Sequence, residues 1–111
     1  MSFPGLKGDK YHALAEKYMP NGTCGVISFG VPGGREKVSA FLDHLKMVSI
    51  ATHVADARSC TLYPAGTTHR QLTEEQLIEA GVGIDLVRLS CGIENADDII
   101  ADLDQALAAV Q

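Results

Sequence analysis

The sequence predicts an α+β fold, a two-layer sandwich in which a roughly four-stranded, mostly antiparallel sheet carries its helices on one face. Segments with a helical apolar period and segments with alternating residues follow one another in the order α-β-α-β-β-α-β-α. Within the strands, large apolar residues alternate with small or polar ones, which indicates that only one face of the sheet is buried. The 111 residues contain no linker or repeat, so residues 1–111 are expected to form a single domain.

Composition argues against several classes of function. Apolar residues make up 46% of the chain and charged residues 21%, as in ordinary globular domains. The formal net charge is −5 and no basic cluster occurs, so neither nucleic acid nor a membrane is expected as a partner. No stretch is long and apolar enough to span a membrane, and no leader sequence is apparent. These features predict a soluble, cytoplasmic protein.

The amino-terminal half predicts two helices around one strand. Asp9 is placed to cap the first helix, which Pro20-Asn21-Gly22 ends. Residues 24–31 predict a strand, and the glycines after Pro32 predict a tight turn into the second helix. Apolar residues recur at helical spacing in both helices: Tyr11, Leu14, Ala15 and Tyr18 in the first, and Val38, Phe41, Leu42 and Leu45 in the second.

The carboxyl-terminal half predicts three strands and two helices. The strands are placed around residues 47–51, 59–63 and 86–91. Thr73 and Gln76 form a capping box for a short helix over residues 72–80, which Gly81 ends. Asn95 is expected to cap the last helix, whose buried stripe is predicted to be Ile99, Ile100, Leu103, Leu107 and Val110.

Arg88 is the residue most suggestive of ligand binding. Its neighbours Val87 and Leu89 are expected to face the helices, so strand alternation directs Arg88 to the open face of the sheet. A planar guanidinium on a rigid strand is suited to bidentate binding of a carboxylate. The alternative is a surface arginine paired with a nearby acid.

Other polar residues give weaker indications. His53 and His69 lie in predicted loops and have rings suited to acid, base or ligand roles, but ordinary loop or cap histidines are the simpler interpretation. His12 and His44 lie on predicted helices and are expected to face solvent. Gly33-Gly34 has free N–H groups ahead of a helix, yet no phosphate-binding motif surrounds it, which favours a simple turn. Taken alone, the residues describe half of a pocket.

The three cysteines do not have the spacing of a metal clip or of a disulfide framework, so no metal site is predicted. Cys24, Cys60 and Cys91 all lie in apolar stretches. They are therefore expected to be small core residues in a reducing compartment. A reactive thiol is the alternative.

A longer pattern runs through the chain. The segments are FPGL at 3–6, the stretch 25–34, LKMVS at 45–49, YPAGTTHRQL at 63–72, DLVRLSCGIE at 85–94 and DDIIADL at 97–103. Their succession resembles the C-terminal domain of the Cys/Met-metabolism family of pyridoxal-phosphate (PLP) enzymes over essentially the whole chain. Within that family the resemblance is closest to the sulfhydrylases that act on O-acetylhomoserine.

The resemblance implies roles for particular residues. Arg88 matches the arginine that binds the α-carboxylate of the amino-acid substrate. His53 and Val54 match a loop that contributes to the same binding, partly through backbone N–H groups. Thr68 and His69 match a feature near the pocket rim that has no assigned catalytic role.

This chain departs from the family pattern in two places. The loop commonly carries Ser or Asn, an apolar residue and then Gly-Asp, whereas this chain has His53 and Ala55. It also has Tyr63-Pro64-Ala65-Gly66 in place of the more usual His-Pro-Ala-Ser.

The resemblance implies PLP as the cofactor of the full-length enzyme, held by a lysine in a large N-terminal domain that these residues do not include. None of the five lysines lies in the family's lysine motif: Lys7, Lys10, Lys17, Lys37 and Lys46. The chain is therefore expected to carry no catalytic and no cofactor-binding residue. Alone, it is expected to be inactive and to bind no PLP.

The activity implied for the intact enzyme is replacement of the acetate group of O-acetylhomoserine by sulfide or a thiol, in homocysteine and methionine synthesis. A methionine γ-lyase, a cystathionine γ-synthase and a free-standing, non-catalytic small-molecule-binding module are the alternatives. The resemblance implies a homotetramer for the intact enzyme. The isolated chain is expected to be a monomer or a weak dimer.

Overall fold

A computed structural model describes residues 1–111 and confirms the predicted order of elements. The helices and strands are α1 (His12–Tyr18), β1 (Val26–Gly30), α2 (Gly34–Asp43), β2 (Ser49–Ile50), β3 (Cys60–Leu62), a 3-10 turn (Pro64–Gly66), α3 (Glu74–Glu79), β4 (Leu86–Ser90) and α4 (Ala96–Ala109). No helix has the length and apolar character needed to cross a membrane. The fold is the predicted α+β type.

The four strands form one sheet in the order β1-β4-β3-β2. β4 is antiparallel to both β1 and β3, and only the short β2–β3 pair is parallel. The sheet is therefore mostly antiparallel, as predicted. Its two edges differ: β2 has only two residues, whereas β1 is bridged on its outer side by Ser2, which exchanges two backbone hydrogen bonds with Ser28.

The core lies between one face of the sheet and the helices α2, α3 and α4. Phe29 of β1 pairs with Val87 of β4 on this face, and its ring packs edge-to-face on Phe41 of α2 with centroids 6.0 Å apart. Burial of apolar side chains is the main stabilising term for such a core. Its buried members are Val31, Val38, Phe41, Leu42, Tyr63, Ala65, Leu77, Val87 and Ala106.

The start of α3 has the capping box that the sequence predicts. The Gln76 N–H donates to the Thr73 hydroxyl over 3.3 Å, and the Thr73 N–H donates to the Gln76 side chain over 2.9 Å. Leu77 is fully buried, and Gly81, with a φ of +75°, follows the helix end. Local capping chemistry therefore sets the limits of this short helix.

A buried carboxylate holds α4 to the segment before β2. Asp102, which is 6% exposed, accepts hydrogen bonds from the N–H groups of Lys46, Met47 and Val48 over 2.8 to 2.9 Å. Burial raises the pKa of Asp102, but these three bonds and one from Gln105 outweigh it, so the pKa lies below the usual value. The carboxylate fixes the chain that enters β2.

The predictions for α1 are wrong in three respects. Asp9 is not the cap: Tyr11 precedes the helix, and its N–H donates to the Asp9 carboxylate over 2.9 Å. The expected apolar face is exposed at Tyr11, Leu14 and Tyr18. His12 does not face solvent, since its ring contacts the Pro4 carbonyl at 2.9 Å and Glu16 at 3.2 Å. The reason is that α1 lies against the amino-terminal segment, not on the sheet.

Two other burial predictions are also wrong. Ile100 is 62% exposed, because it lies about 100° around α4 from the buried Ile99. Cys24 is exposed, because it precedes β1 and lies outside the core. Cys60 is buried and Cys91 is half-buried, and all three thiols are free.

Candidate functional site

Arg88 lies at the centre of the sheet. It is paired with Ser28 of β1 on one side and with Leu62 of β3 on the other. Its neighbours Val87 and Leu89 are buried on the helix side, so Arg88 lies on the opposite face, as alternation predicts. A strand hydrogen-bonded on both sides holds the Arg88 backbone in place.

The Arg88 guanidinium has no acidic partner. One nitrogen donates to the Thr52 carbonyl over 3.2 Å, and the remaining guanidinium N–H groups have no acceptor within the chain. The two ion pairs of the structure involve other residues, His12 with Glu16 and Arg58 with Asp56. The alternative, in which Arg88 is paired with a nearby acid, is therefore wrong. The guanidinium keeps a full charge and free donors for an anion.

The segment 51–59, here called the crossover, lies over the face that carries Arg88. It connects two parallel strands, so the chain has to run back along the sheet before β3 begins. The Ala55 N–H donates to the Ser90 hydroxyl over 3.1 Å, and Ser90 shares its face with Arg88 because the two are two residues apart on β4. From the sequence, this face of the sheet was expected to be uncovered. That expectation is wrong, because the crossover lies over it.

The end of the crossover is tied to the connection between β4 and α4. Ser59 donates to Glu94 from its backbone N–H over 2.7 Å and from its hydroxyl over 2.8 Å. The Gly92 N–H donates to the Ser59 hydroxyl over 2.8 Å, and the Ile93 N–H donates to the Ala57 carbonyl over 2.9 Å. The bond from the Ser59 N–H is the main cause of a lowered pKa at Glu94. Sequence reasoning missed this network, because its members are about 35 residues apart in the chain.

His53 and Val54 occupy the exposed part of the crossover. Their backbone N–H groups have no acceptor within the chain, and the His53 ring makes no hydrogen bond. The preceding residue, Thr52, is the one whose carbonyl contacts Arg88. The two residues with free N–H donors therefore come directly after Thr52 in the chain, the residue whose carbonyl accepts the guanidinium hydrogen bond.

Two further residues shape the crossover. Ala55 has a φ of +59°, which is left-handed and suits glycine. Asp56 accepts hydrogen bonds from the Arg58 N–H and guanidinium, and these bonds lower its pKa, with a smaller contribution from the charge of His53.

Thr68 and His69 follow the 3-10 turn after β3. The Thr68 hydroxyl and His69 Nδ1 are 2.8 Å apart, and the His69 N–H donates to the Pro64 carbonyl. Because β2 and β3 are parallel, their carboxyl ends lie at the same end of the sheet. The segment with Thr68 and His69 and the segment with Thr52 therefore both start from that end. No hydrogen bond joins Thr68 or His69 to Arg88.

The larger clefts of the molecule lie away from Arg88. One of about 590 Å³ lies between the amino-terminal segment and α1. Another of about 400 Å³ lies on the helix side of the sheet, lined by Phe29 of β1 and Leu103 of α4. Neither includes Arg88, which is half-buried beside the crossover.

The residues present do not fit covalent attachment of the pyridoxal cofactor that the resemblance implies. All five lysines are exposed. Lys10 and Lys17 lie over the rings of Tyr11 and Tyr18, and Lys37 donates to the Val110 carbonyl. None is bonded to the crossover or to Arg88. The groups that the structure brings together around Arg88 are hydrogen-bond donors suited to binding an anion.

Comparison with known sequences identifies relatives that are much longer than this chain. O-acetyl-L-homoserine sulfhydrylase of Leptospira meyeri is 45% identical over 108 residues, which cover 96% of this chain and 24% of that protein. Homocysteine synthase of Schizosaccharomyces pombe is 48% identical over 107 residues, which cover 96% and 25%. The chain thus spans about a quarter of the length of these relatives.

A solved structure has the same fold. It is the crystal structure of a "putative O-acetylhomoserine (thiol)-lyase" from Campylobacter jejuni with N'-pyridoxyl-lysine-5'-monophosphate. The TM-score is 0.86 at 39% identity, over 96% of this chain and 25% of that one. Residues 1–108 also match the family described as Cys/Met metabolism PLP-dependent enzyme. On this match and these identities, the chain belongs to the Cys/Met-metabolism family of PLP-dependent enzymes.

Proposed function

We propose that these residues form the substrate-carboxylate-binding domain of an O-acetylhomoserine sulfhydrylase. Arg88 binds the α-carboxylate of the amino-acid substrate in this proposal. The observation that carries it is the guanidinium of Arg88, held on the central strand with no acidic partner. The names of the relatives support the reaction class.

The chemistry of the site suits a carboxylate. A guanidinium presents parallel N–H donors that match the two oxygens of a carboxylate, and such charged bonds are among the strongest in proteins. The free N–H groups of His53 and Val54 add neutral donors close to the same point. Together they fix the orientation of the substrate, which lowers the entropic cost of reaching the reactive geometry. In this proposal the His53 ring and the pair Thr68–His69 form part of the pocket rim.

The remaining wall of the pocket would come from the other three quarters of a full-length enzyme, including the PLP lysine. The exposed side chains of Tyr11, Leu14 and Tyr18 support a partner surface, because neighbouring exposed apolar residues commonly mark contact regions. The intact enzyme would replace acetate by sulfide or a thiol, and would be a homotetramer. The 111 residues alone would bind no PLP and would be inactive.

The test is substrate binding in a full-length enzyme that contains this sequence. Arg88→Lys and Arg88→Ala are expected to raise KM for O-acetylhomoserine by about 10- to 100-fold, since a hydrogen bond to a charged group contributes about 1.5–3 kcal/mol. Lys37→Ala, which removes an exposed cation of α2 on the other face of the sheet, is the control and should leave KM unchanged. An unchanged KM in both Arg88 variants would exclude the carboxylate role.

Product analysis tests the reaction class. With O-acetylhomoserine and sulfide we expect homocysteine and acetate. Methanethiol, ammonia and a 2-oxo acid formed from methionine alone would instead identify a γ-lyase, and cystathionine formed mainly from cysteine and a homoserine ester would identify a cystathionine γ-synthase. Either of these as the main activity would overturn the sulfhydrylase proposal while leaving the role of Arg88 intact.

A further inference from the structure

We propose that Glu94 is a positioning residue for the Arg88 site. Its carboxylate holds the end of the crossover, so that the N–H groups of His53 and Val54 stay beside the guanidinium. The inference rests on the proposed function of Arg88, and it assigns a role to a residue that does not itself touch the substrate.

The contact between Glu94 and Ser59 is bidentate. One carboxylate oxygen accepts the Ser59 N–H over 2.7 Å and the other accepts the Ser59 hydroxyl over 2.8 Å. Ser59 is completely buried, so water does not replace these bonds without local opening of the structure. Two bonds to one residue fix its orientation as well as its position.

The neighbours of Glu94 strengthen the same attachment. Gly92 donates to the Ser59 hydroxyl, and Ile93 donates to the Ala57 carbonyl. A Cβ at Gly92 would overlap the Ala57 carbonyl, so only glycine allows the two backbones to lie this close. The end of the crossover is thus packed directly against the connection after β4.

Three ties of the crossover lead to the segment 88–94. Thr52 contacts Arg88, Ala55 contacts Ser90, and Ser59 contacts Glu94. The strand that supplies the guanidinium therefore also sets the position of the two free N–H groups. A carboxylate ligand would meet donors whose spacing is fixed by one short segment, which is the arrangement that preorganised binding requires.

The chemistry of the contact calls for a carboxylate. Both bonds are donated by Ser59, so both side-chain oxygens at position 94 have to accept. Glutamine offers one acceptor and one donor, and alanine offers neither. The pKa of Glu94 lies below its usual value, mainly because of the Ser59 N–H, so the carboxylate is ionised at neutral pH.

The first test uses steady-state kinetics of a full-length enzyme that contains this sequence. Glu94→Ala is expected to raise KM for O-acetylhomoserine by about tenfold, the size of one charged hydrogen bond, with kcat at saturation within about twofold. Glu94→Gln should lie between wild type and Glu94→Ala. Glu79→Ala, which removes an exposed glutamate of α3 without a hydrogen-bond partner, should change neither constant. A lowered kcat with unchanged KM would overturn the positioning role.

A double-mutant cycle separates this inference from the proposed function. If Glu94 acts through the Arg88 site, the effects of Glu94→Gln and Arg88→Lys on KM are not additive. Independent effects would show that Glu94 acts elsewhere. If Arg88→Lys and Arg88→Ala both leave KM unchanged, the proposed function fails. If Arg88→Lys raises KM but both Glu94 variants leave it unchanged, only the present inference fails.

Amide hydrogen exchange in the 111-residue chain gives a readout that is independent of activity. Glu94→Ala should speed exchange at Ser59 and Ala55 while Val48, which is held by Asp102, stays protected. Should Glu94→Ala not fold, Glu94→Gln provides the same comparison at lower amplitude. Unchanged exchange at Ala55 in the folded variant would overturn the proposal.

Discussion

The aromatic ring of Tyr63 occupies the space that a side chain at residue 66 would need. A Cβ built on Gly66 would lie 2.5 Å from Cδ1 and 2.7 Å from Cε1 of that ring. The ring is fixed, because Tyr63 is buried and its hydroxyl donates to the Ile84 carbonyl. The two departures from the usual His-Pro-Ala-Ser pattern are therefore physically linked, since the larger residue at 63 requires the smallest one at 66.

Gly66→Ala should therefore destabilise the domain. Overpacking next to a fixed ring costs about 1–3 kcal/mol, and urea denaturation measures it. Gly8→Ala is the matched control, since a Cβ at Gly8 has no neighbour within 4 Å. In a Tyr63→His background the cost of Gly66→Ala should shrink, because the smaller ring leaves room. Equal costs in both backgrounds would show that the two positions are independent.

Removal of the Asp102 carboxylate should loosen the entry to β2. Asp102→Ala leaves the N–H groups of Lys46, Met47 and Val48 without their acceptor, and we expect a loss of about 3 kcal/mol in the free energy of unfolding. Asp104→Ala, on the exposed side of the same helix, should lower the free energy of unfolding by much less, about 0.5 kcal/mol or below. Comparable losses in the two variants would contradict the role of Asp102 as an anchor.

The same carboxylate predicts a pH dependence. The pKa of Asp102 is lower in the folded chain than its ordinary value of 3.8, so the folded state favours the ionised form. The stability that it contributes is complete above the unfolded-state pKa and is lost as pH falls through the folded-state pKa. The difference in stability between wild type and Asp102→Asn should therefore be largest at neutral pH and shrink below about pH 4. Urea midpoints measured from pH 7 to pH 3 check this, and a constant difference would disprove it.

Ala55→Gly should stabilise the crossover. Ala55 has a left-handed φ of +59°, which costs a residue with a Cβ about 1–2 kcal/mol, whereas glycine loses about 0.5–1 kcal/mol through its greater freedom in the unfolded chain. The net gain expected in thermal or urea unfolding is therefore about 0.5–1 kcal/mol. Ala57→Gly, two residues later at an exposed position without positive φ, should destabilise the domain. The same sign for both changes would contradict the argument.

The isolated chain should be a monomer or at most a weak dimer. Among its exposed large apolar residues, Tyr11, Leu14 and Tyr18 form one short stripe at α1. That is a small area beside the roughly 1,200–2,000 Å² of total surface buried in stable interfaces. Light scattering across a concentration series measures the mass, and a stable tetramer of the 111-residue chain would contradict the expectation.

Local chemistry made much of the fold predictable. The capping box of α3 is encoded within four residues, and the alternation around Arg88 correctly assigns its face of the sheet. Each of these signals acts between near neighbours, so it is visible in the sequence as a fixed spacing.

The errors come from contacts that spacing does not encode. The apolar pattern of α1 is genuine, but nothing in the pattern says whether a partner covers it. Asp102 resembles an ordinary solvent-facing residue of an amphipathic helix, because its partners are more than 50 residues away in the sequence. The crossover network escaped notice for the same reason: Ser59 and Glu94 meet only after β3 and β4 have paired. The main site residue was therefore predictable, whereas the residues that hold its surroundings were not.

We expect the bridge between Ser2 and Ser28 to protect the protein from aggregation. β1 is an edge strand with the sequence VISFG, rich in the residue types that form cross-β fibrils when their backbone is free. Ser2 occupies the middle of that free edge, and the opposite edge, β2, is too short to recruit another strand. Loss of the first three residues would uncover a fibril-prone segment while leaving every residue of the Arg88 site in place.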